Sequence, residues 1–469
     1  MPPLIQLFLC AGQIKRGYRM QKTSNLTEGN IFGTLIRFAV PVLLTLFLQA
    51  LYGGVDLLVV GQFAQTADVS GVATGSMLLQ TVTMMITGLS MGITILVGEK
   101  IGKRQPDEAG RVIGGGICLF AIVAVVLTIV MVAGAEMLAR LMHAPEEAFA
   151  QTVHYIRICG AGAVFIVAYN VLGSVFRGIG DSKTPLMTVS IACVVNIFGD
   201  LLLVAGFHMG AAGAAIATVA AQAVSVVVSF LVIRRRTSLP FHFSRANLRF
   251  DRKIMGSVFR LGAPVSLQEL LVGTSFLLIQ AIVNAFGVVP SAGVGVAEKV
   301  CSFIMLVPSA YMQSMSAFVA QNMGADNPLR AKKALGYGIA TSLAVGFLMG
   351  VFTFFRGDLL ALIFSKDLAV VAQAHSYLKA YAIDCLLTPL LFCFTGYFNG
   401  CEKTLFVMFQ GIVGAFLVRI PVAFLVSRFA DTTLFEIGLA TPASTCVQIA
   451  LCLAMFILME RRNRREIEV

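Results

Sequence analysis

The stretch that decides the fold is TLIRFAVPVLLTLFLQALYGGVDLLVVGQ, residues 34–62. It is long enough to cross a bilayer as one helix, yet it contains Pro41 and Asp56, which lipid disfavours. An ionised Asp near the middle of a membrane helix costs roughly 2.5–3.5 kcal/mol. Asp56 is therefore either hydrated near the interface or part of an ion site. A second carboxylate within an apolar segment, Asp200, favours the ion site.

The composition is that of a polytopic membrane protein. Of the 469 residues, 58% are hydrophobic and 13% are charged, and the mean hydropathy is +0.87, too apolar for a soluble domain. The formal charge of +11 does not predict nucleic-acid binding, because the basic residues fall in short gaps between apolar runs. Ten cysteines occur without a C-x-x-C pair or a His/Cys cluster, so we expect neither disulfides nor a structural metal.

Twelve apolar segments follow residue 30. Their length and their lack of alternation predict transmembrane helices rather than barrel strands, so the expected fold is that of an all-α membrane protein. The segments cover residues 34–61, 71–98, 112–135, 152–176, 185–206, 211–233, 256–286, 292–321, 334–355, 372–398, 405–427 and 436–459.

Lys and Arg are concentrated in alternate gaps between these segments. The gaps after odd-numbered segments hold few, whereas the gaps after even-numbered segments and both chain ends hold many. By the positive-inside rule, both termini are cytoplasmic. We therefore expect a multi-pass protein of the plasma membrane.

A long basic connection, RRRTSLPFHFSRANLRFDRK at 234–253, divides the chain into six segments plus six. It could lie on anionic lipid at about 1 kcal/mol per charge, or it could be simply solvated. We expect a disordered cytoplasmic segment at 1–30, an N-lobe at 31–233, a linker at 234–254, a C-lobe at 255–460 and a cytoplasmic tail at 461–469.

The two halves repeat. Because each half has an even number of helices, both copies enter the membrane from the same side, which predicts a pseudo-two-fold axis along the membrane normal. Two six-helix bundles around a central cleft are the plan of a transporter. The repeat aligns Ile36–Pro41 with Phe259–Pro264 at an offset of 223, and Gly102–Pro106 with Gly324–Pro328 and Phe176–Gly178 with Phe398–Gly400 at 222.

These residues resemble the multidrug and toxic compound extrusion (MATE) transporters, in particular their DinF-like bacterial branch. The resemblance covers nearly the whole chain after residue 25. It includes LTEG at 26–29, the Pro41 and Pro264 helices, the G-x-x-x-P turns and RGIGDSKTP at 177–185. It implies a V-shaped fold of twelve helices that exports compounds in exchange for H⁺ or Na⁺.

Asn196 and Asp200 lie four residues apart, on one face of the fifth segment. The carboxylate can carry a proton or bind a cation while the amide supplies a neutral oxygen; alternatively, the pair merely fastens two helices together. The family resemblance implies that Asp56, Asn196, Asp200 and Thr218 form the cation site of the N-lobe. Of these, Asp56, Asn196 and Asp200 could hold Na⁺ transiently; we expect no resident metal and no cofactor.

A neutralisation cycle follows from these groups. Burial in a low dielectric disfavours a charged carboxyl group, and two neighbouring carboxylates favour one shared proton or one bound Na⁺. Pro41 removes a backbone hydrogen bond and makes a kink point. We expect cation loading to bend the first helix at Pro41, collapse the N-lobe side of the cleft and displace the bound compound.

The C-terminal half resembles the family less closely. The NorM-like branch carries coupling on a Glu of the seventh helix and an Asp of the tenth, and Glu269 and Asp384 lie on those helices about one turn away. Glu269 and Asp384 could each either couple transport to an ion or only pack helices together. Arg419, inside the eleventh segment, must face the cleft or a carboxylate partner. Neutral hydrogen bonds to a bound compound could come from Gln49, Gln80, Gln268, Gln280 and Gln313.

The sequence thus predicts a secondary active multidrug efflux antiporter, not an enzyme, that acts as a monomer on small-molecule drugs or metabolites. It has no phosphate-binding motif, so transport must draw on an ion gradient, where a charge crossing 100 mV gains roughly 2.3 kcal/mol. The nearest alternative is a flippase for a lipid-linked precursor, which should show a strongly cationic cleft and often extra helices. An intramembrane enzyme would need a His/Asp metal set or a Ser/His pair at membrane depth.

Overall fold

A computed structural model describes residues 26–236, 239–429 and 431–468, without the side chains of 245 and 463–468. The expectation of a disordered segment at 1–30 therefore falls largely outside the described residues. So does the end of the expected tail.

All regular secondary structure in the described chain is helical, and its helices match the twelve predicted segments. Eleven helices in the described ranges are long and apolar enough to cross a membrane, and one bent pair makes a twelfth. They are α1 (Ile31–Phe63), α2 (Thr66–Gly102), α3 (Pro106–Ala133), α4 (Glu146–Ala161 with Ala163–Gly178), α5 (Lys183–Gly206), α6 (Gly210–Arg235), α7 (Arg252–Asn284), α8 (Val288–Gly324), α9 (Pro328–Leu362), α10 (Leu368–Gly400), α11 (Thr404–Val426) and α12 (Leu434–Arg462). The predicted all-helical, twelve-span fold is confirmed.

Several departures from regular helix were not predicted. The halves of α4 meet at an angle of 55°, although the apolar run continues through the bend. In α5 the α-helix ends at Asp200 and the span finishes as a π-helical turn, Leu201–Gly206. A second π-helical turn, Val413–Arg419, lies inside α11. Such turns are rare and frequently occur at functional sites.

The first compact unit contains Arg37–Ser266 together with 26–28 and Ala320–Asp326. Its apolar core joins α1 to α6 and includes Val60, Ile93 and Tyr155, all essentially without exposed surface. Asp68 at the start of α2 accepts a hydrogen bond from Ala211 N at the start of α6 (2.9 Å). The acid satisfies a free N–H at a helix N-terminus, so it fixes the position of α6.

The basic connection between α6 and α7 packs on the start of α3. His242 N donates to Pro106 O (3.1 Å), and a Cβ added at Gly110 would lie 1.8 Å from His242 O. Only glycine lets the connection approach α3 this closely. Near the end of α6, Arg236 pairs with Asp181, which also accepts a hydrogen bond from Thr184 N (3.0 Å).

The second compact unit contains Gly29–Ile36, Leu267–Val319 and Asn327–Val469. Its core includes Ile279 of α7, Val294 of α8 and Tyr377 of α10, which are fully buried. The predicted lobe boundaries at 31–233 and 255–460 remain predictions.

Candidate functional site

Four predicted site residues meet inside the first unit. Asp56 on α1, Asn196 and Asp200 on α5 and Thr218 on α6 are 5%, 0%, 0% and 4% exposed. Thr218 Oγ1 donates a hydrogen bond to Asp56 Oδ2 (3.1 Å). The Asp56 carboxyl group also adjoins the Asp200 carboxyl group and the Asn196 side chain. Their proximity is a finding, whereas their role as an ion site remains a prediction.

Small residues let α5 and α6 come close enough to form this cluster. A Cβ added at Gly199 would lie 3.0 Å from Ala217 Cβ, so the two helices touch one residue before Asp200 and one residue before Thr218. Close contact between small residues is a common way for membrane helices to pack. This contact brings Asp200 and Thr218 to the same height along the two neighbouring helices.

In the part of the chain that the structure describes, no basic side chain adjoins either acid of the site. The side chains that interact with the Asp56 carboxyl group are those of Asp200, Thr218 and Asn196, and the side chain that interacts with the Asp200 carboxyl group is that of Asp56. Among the described residues, Asp56 Oδ1, both Asp200 oxygens and the amide atoms of Asn196 have no hydrogen-bond partner. Two buried, ionised carboxylates without a counter-charge would be very costly.

The arrangement is suited to one shared proton or one monovalent cation. Carboxylate, amide and hydroxyl oxygens are hard ligands of the kind that bind alkali and alkaline-earth cations. No group of three or more His, Cys, Asp or Glu side chains that could hold a metal ion occurs in the described part of the chain.

Tyr52, Tyr155 and Gln222 border the site, and the sequence analysis did not predict them. Tyr155 on α4 is fully buried beside Thr218 and Asp56. Tyr52 on α1 lies beside Asp56 and the Gln222 side chain. Tyr52 precedes Asp56 by four residues and Gln222 follows Thr218 by four, so both share a helix face with a site residue. That spacing could have revealed them.

Polar contacts continue along α1 and into α4. Gln49, a predicted cleft residue, donates a hydrogen bond from Nε2 to Tyr169 Oη. Further along α4, Arg177 Nη2 donates to Ser174 Oγ (2.8 Å), which in turn donates to Ser90 Oγ of α2 (2.7 Å). The first unit therefore contains hydrogen bonds between polar side chains of different helices in addition to those of the predicted site.

Pro41, the predicted hinge, lies within the continuous helix α1. Thr45 Oγ1 donates to Pro41 O (2.8 Å). Side-chain bonding of this kind back to the preceding turn often accompanies helix bending. The bending itself remains a prediction.

The predicted site residues of the second unit do not form one cluster. Asp384 and Arg419 are both buried, and Arg419 Nη1 donates a hydrogen bond to Ser275 Oγ (3.0 Å) rather than to Asp384. Glu269 is half-buried and lies apart from them, with no ionisable neighbour among the described residues acting on it. Gln268 packs against Gly411. Gln280 Nε2 donates to Asn284 Oδ1 (3.0 Å) and to Ser291 at the start of α8, so its amide nitrogen joins α7 to α8.

The sequence profile of the MatE family matches the chain twice, over residues 41–202 and 264–425. The chain belongs to the MatE family. The two matches are related by the offset of 223 that aligned Pro41 with Pro264, which confirms the internal repeat. The resemblance to MATE transporters is likewise confirmed, and this family is one of membrane transporters rather than a class of enzymes.

Named relatives cover almost the whole MatE chain. It is 25% identical over 439 residues to the Probable multidrug resistance protein YoeA of Bacillus subtilis (strain 168), covering 92% of this chain and 94% of that protein. It is 23% identical over 450 residues to the Multidrug export protein MepA of Staphylococcus saprophyticus, covering 92% and 95%.

Two of the solved structures of similar fold are MATE proteins. A crystal structure of MATE in complex with MaL6 superposes with a TM-score of 0.88 at 19% identity, covering 96% of this chain and all of that one. An outward-facing multidrug resistance MATE family transporter of the MOP superfamily gives a TM-score of 0.87 at 19% identity, covering 96% and 100%. These likenesses support the fold.

Proposed function

We propose that this MatE transporter is a secondary active efflux antiporter that exports organic cations in exchange for H⁺ or Na⁺. The observation that carries the proposal is the buried Asp56–Asp200 pair, which has no basic partner among the described residues. A protein cation beside the pair would fix its charge. A pair of acids alone must take positive charge from solution.

Exchange follows from competition for that negative charge. When the coupling ion leaves, the pair becomes more negative in a low-dielectric interior and attracts an organic cation more strongly. When the ion returns, the attraction weakens and the compound is released. Linkage makes this reciprocal: if the ion lowers the affinity for the compound, the compound lowers the affinity for the ion by the same factor.

The same charge change acts on the shape of α1. Asp56 is held to α6 by Thr218 and adjoins α5 through Asp200, so its neutralisation alters the forces that hold α1 in place. A helix bends at least cost where a backbone hydrogen bond is already missing. We assign that point to Pro41, which lies in the same helix.

The relatives support an organic compound as the transported species, since two are named for multidrug resistance and multidrug export. The alternation of basic residues supports an orientation with both termini in the cytoplasm. We take the transporter to be a monomer of the plasma membrane that needs no cofactor beyond the coupling ion.

The test is efflux of a fluorescent organic cation from proteoliposomes, driven separately by a pH gradient and by a Na⁺ gradient. Wild-type protein is expected to respond to at least one gradient. Asp56→Asn and Asp200→Asn, each made singly, should abolish that response because each leaves one titratable acid in place of a pair. Asp107→Asn removes an exposed carboxylate of α3 and should transport as wild type does.

Coupled transport that survives in either site variant, at wild-type levels of protein, would refute the proposal. Movement of a lipid-linked precursor without either gradient would instead favour the flippase. The acidic character of the described site speaks against that alternative, since such a flippase should bind its anionic substrate with cationic groups.

A further inference from the structure

From residue 239 onward, the basic connection between α6 and α7 is an ordered part of the first unit. Its backbone lies against α3 at two glycines: a Cβ added at Gly110 would lie 1.8 Å from His242 O, and one added at Gly114 would lie 2.1 Å from Asn247 O. Phe241 of the connection is 6% exposed and belongs to the apolar core of the unit. Packing against α3 therefore fixes the position of the charged residues that follow.

The start of α7 is fixed as well. Asp251 Oδ1 accepts hydrogen bonds from Lys253 N (2.9 Å) and Ile254 N (3.3 Å), so Asp251 caps the N-terminus of this helix. One face of the first turns lies against α2, because a Cβ added at Gly262 would lie only 2.0 Å from Leu89 O. The residues on the other faces of these turns are exposed.

Basic and aromatic side chains dominate this exposed surface. We call it the basic-aromatic patch, and its residues are Arg249, Phe250, Arg252, Lys253, Phe259 and Arg260, all exposed. On α7 the patch follows the helical repeat, since seven residues separate Arg252 from Phe259 and Lys253 from Arg260. Phe250 is 73% exposed and Phe259 is 53% exposed. Exposed aromatic rings beside basic groups indicate a surface for binding rather than a purely solvated one.

The patch carries a net positive charge. Residues 249–260 contain four basic residues and one acid, Asp251, and Asp251 caps α7. Within the described residues, the other acids that the connection contacts are Asp181, paired with Arg236, and Asp107, paired with His242. Neither contact includes a residue of the patch. A surface of this charge fits an anionic partner.

The height of the patch along α7 identifies the partner as lipid. Arg252 and Lys253 precede the seventh apolar segment, 256–286, by three to four residues, which is about 4–6 Å along a helix. The head-group layer adds about 5–8 Å to each side of the hydrocarbon core, so both cations lie at head-group height. Phe259 and Arg260 lie inside the apolar segment, where a long basic side chain can still reach the head groups. A soluble acidic partner would have to enter the head-group layer to contact them.

We propose that the basic-aromatic patch binds anionic phospholipid. Its basic side chains pair with lipid phosphate groups, while its two rings enter the membrane interface. The connection docked on α3 presents these groups as one ordered surface. The inference goes beyond the proposed function, and only the assignment of the patch to the cytoplasmic leaflet rests on the orientation proposed there.

The chain contains no Trp, so one introduced Trp can report on the patch. Phe250→Trp is prepared as full-length protein in phosphatidylcholine nanodiscs that contain increasing fractions of brominated lipid, which quenches Trp fluorescence on contact. Brominated phosphatidylglycerol should quench at a lower mole fraction than brominated phosphatidylcholine does. Phe207→Trp is the control, because Phe207 is 66% exposed at the end of α5 and has no Lys or Arg within ten residues. Both brominated lipids should quench it equally.

Charge variants show whether the basic residues cause the preference. Arg249→Gln, Arg252→Gln and Lys253→Gln, each combined with Phe250→Trp, should weaken the preference for phosphatidylglycerol roughly fivefold per charge at low salt. Arg252→Lys retains the charge and should retain the preference. An ionic strength of about 1 M shortens the range of these charges to about 3 Å, and should abolish the preference without any substitution.

A glycine variant tests whether the docked connection is required. Gly110→Ala keeps every charge but displaces the connection from α3, so it should lower the preference for phosphatidylglycerol. Gly256→Ala is the control, since no described neighbouring atom lies within 4 Å of a Cβ added there, and should leave the preference unchanged. An unchanged preference in Gly110→Ala would mean that the basic residues act as a flexible chain, which would overturn the ordered surface proposed here.

Equal quenching of Phe250→Trp by the two brominated lipids would overturn the inference, as would a preference that survives in all three Gln variants. If a Gln variant does not fold, the salt series on Phe250→Trp alone still decides. Poly-glutamate in the buffer should leave the fluorescence of Phe250→Trp unchanged in nanodiscs that contain phosphatidylglycerol, because lipid already covers the patch. A change as large as that in pure phosphatidylcholine would assign the patch to a soluble acidic partner and overturn the inference.

Discussion

Thr218 Oγ1 donates a hydrogen bond to Asp56 Oδ2 over 3.1 Å, across 162 residues of sequence. This contact joins α6 to α1 at the level of the acidic pair. Because a hydroxyl group can donate to a carboxylate and can also offer its oxygen to a cation, Thr218 is suited both to orient Asp56 and to contribute to ion binding.

Thr218→Val removes the hydroxyl group while retaining the shape of the side chain. We expect a loss of about 1 kcal/mol, or roughly fivefold in affinity for the coupling ion, since a hydrogen bond of this kind contributes about that much. The measurement is the ion concentration that gives half-maximal efflux from proteoliposomes. Thr218→Ser retains the hydroxyl group and should remain near wild type; equal weakening by both variants would assign the effect to packing.

Pro41→Ala restores the missing N–H of α1 and lets a backbone hydrogen bond form across the turn. Such a bond contributes about 1 kcal/mol against bending, so exchange should slow roughly fivefold while thermal stability is unchanged or rises. Turnover and unfolding temperature are measured on the same preparation.

The repeat provides the control for this change. Pro264 occupies the corresponding position of α7, which carries no counterpart of the acidic pair, and Pro264→Ala should slow exchange less. An equal slowing by both variants would contradict a hinge specific to α1.

Apolar length predicted all twelve spans, but not their ends. The second segment, expected at 71–98, extends over Thr66–Gly102, and the ninth, expected at 334–355, over Pro328–Leu362. Helices project past the apolar run because their backbone hydrogen bonds form equally well outside lipid. The bend in α4 lies within a continuous apolar run, so composition could not reveal it.

The site was predictable where spacing along one helix carries the information. Asn196 and Asp200 are four residues apart, and the same rule applied to Asp56 would have found Tyr52. Contacts between distant helices carry no such signal, so the meeting of Asp56 with Thr218 was expected from family resemblance alone. Likewise, Arg419 was predicted to need a partner, but its contacts with Ser275 and Phe276 depend on how α7 and α11 pack.

Gly75→Ala should destabilise the first unit and disturb the cation site. A Cβ at this position would lie 2.4 Å from Cδ1 of Tyr155, whose fully buried ring has little room to move. Overpacking of this kind costs about 1–3 kcal/mol, and a displaced Tyr155 would disturb Thr218. Thermal unfolding in detergent measures the loss.

Gly54→Ala in α1 is the control for Gly75→Ala. Among the described residues, no neighbouring atom would lie within 4 Å of a Cβ added at Gly54. Its effect should stay within about 0.5 kcal/mol. A fall in unfolding temperature for Gly54→Ala as large as that for Gly75→Ala would show that the loss of glycine itself matters, not the contact with Tyr155.

Arg236→Gln should destabilise the first unit, because it leaves the mostly buried Asp181 carboxylate without its counter-charge. Arg236 Nη2 bonds both Asp181 Oδ2 and Thr184 Oγ1, and its guanidinium lies 5.8 Å from the ring centroid of Phe176. Breaking a buried ion pair from one side costs roughly 3 kcal/mol or more. Arg157→Gln breaks a pair of half-exposed side chains, Arg157 with Glu136, and should cost about 1 kcal/mol at most. The two variants are compared by thermal unfolding, and a loss for Arg236→Gln no larger than that for Arg157→Gln would mean that the Asp181 pair adds no stability beyond that of a surface contact.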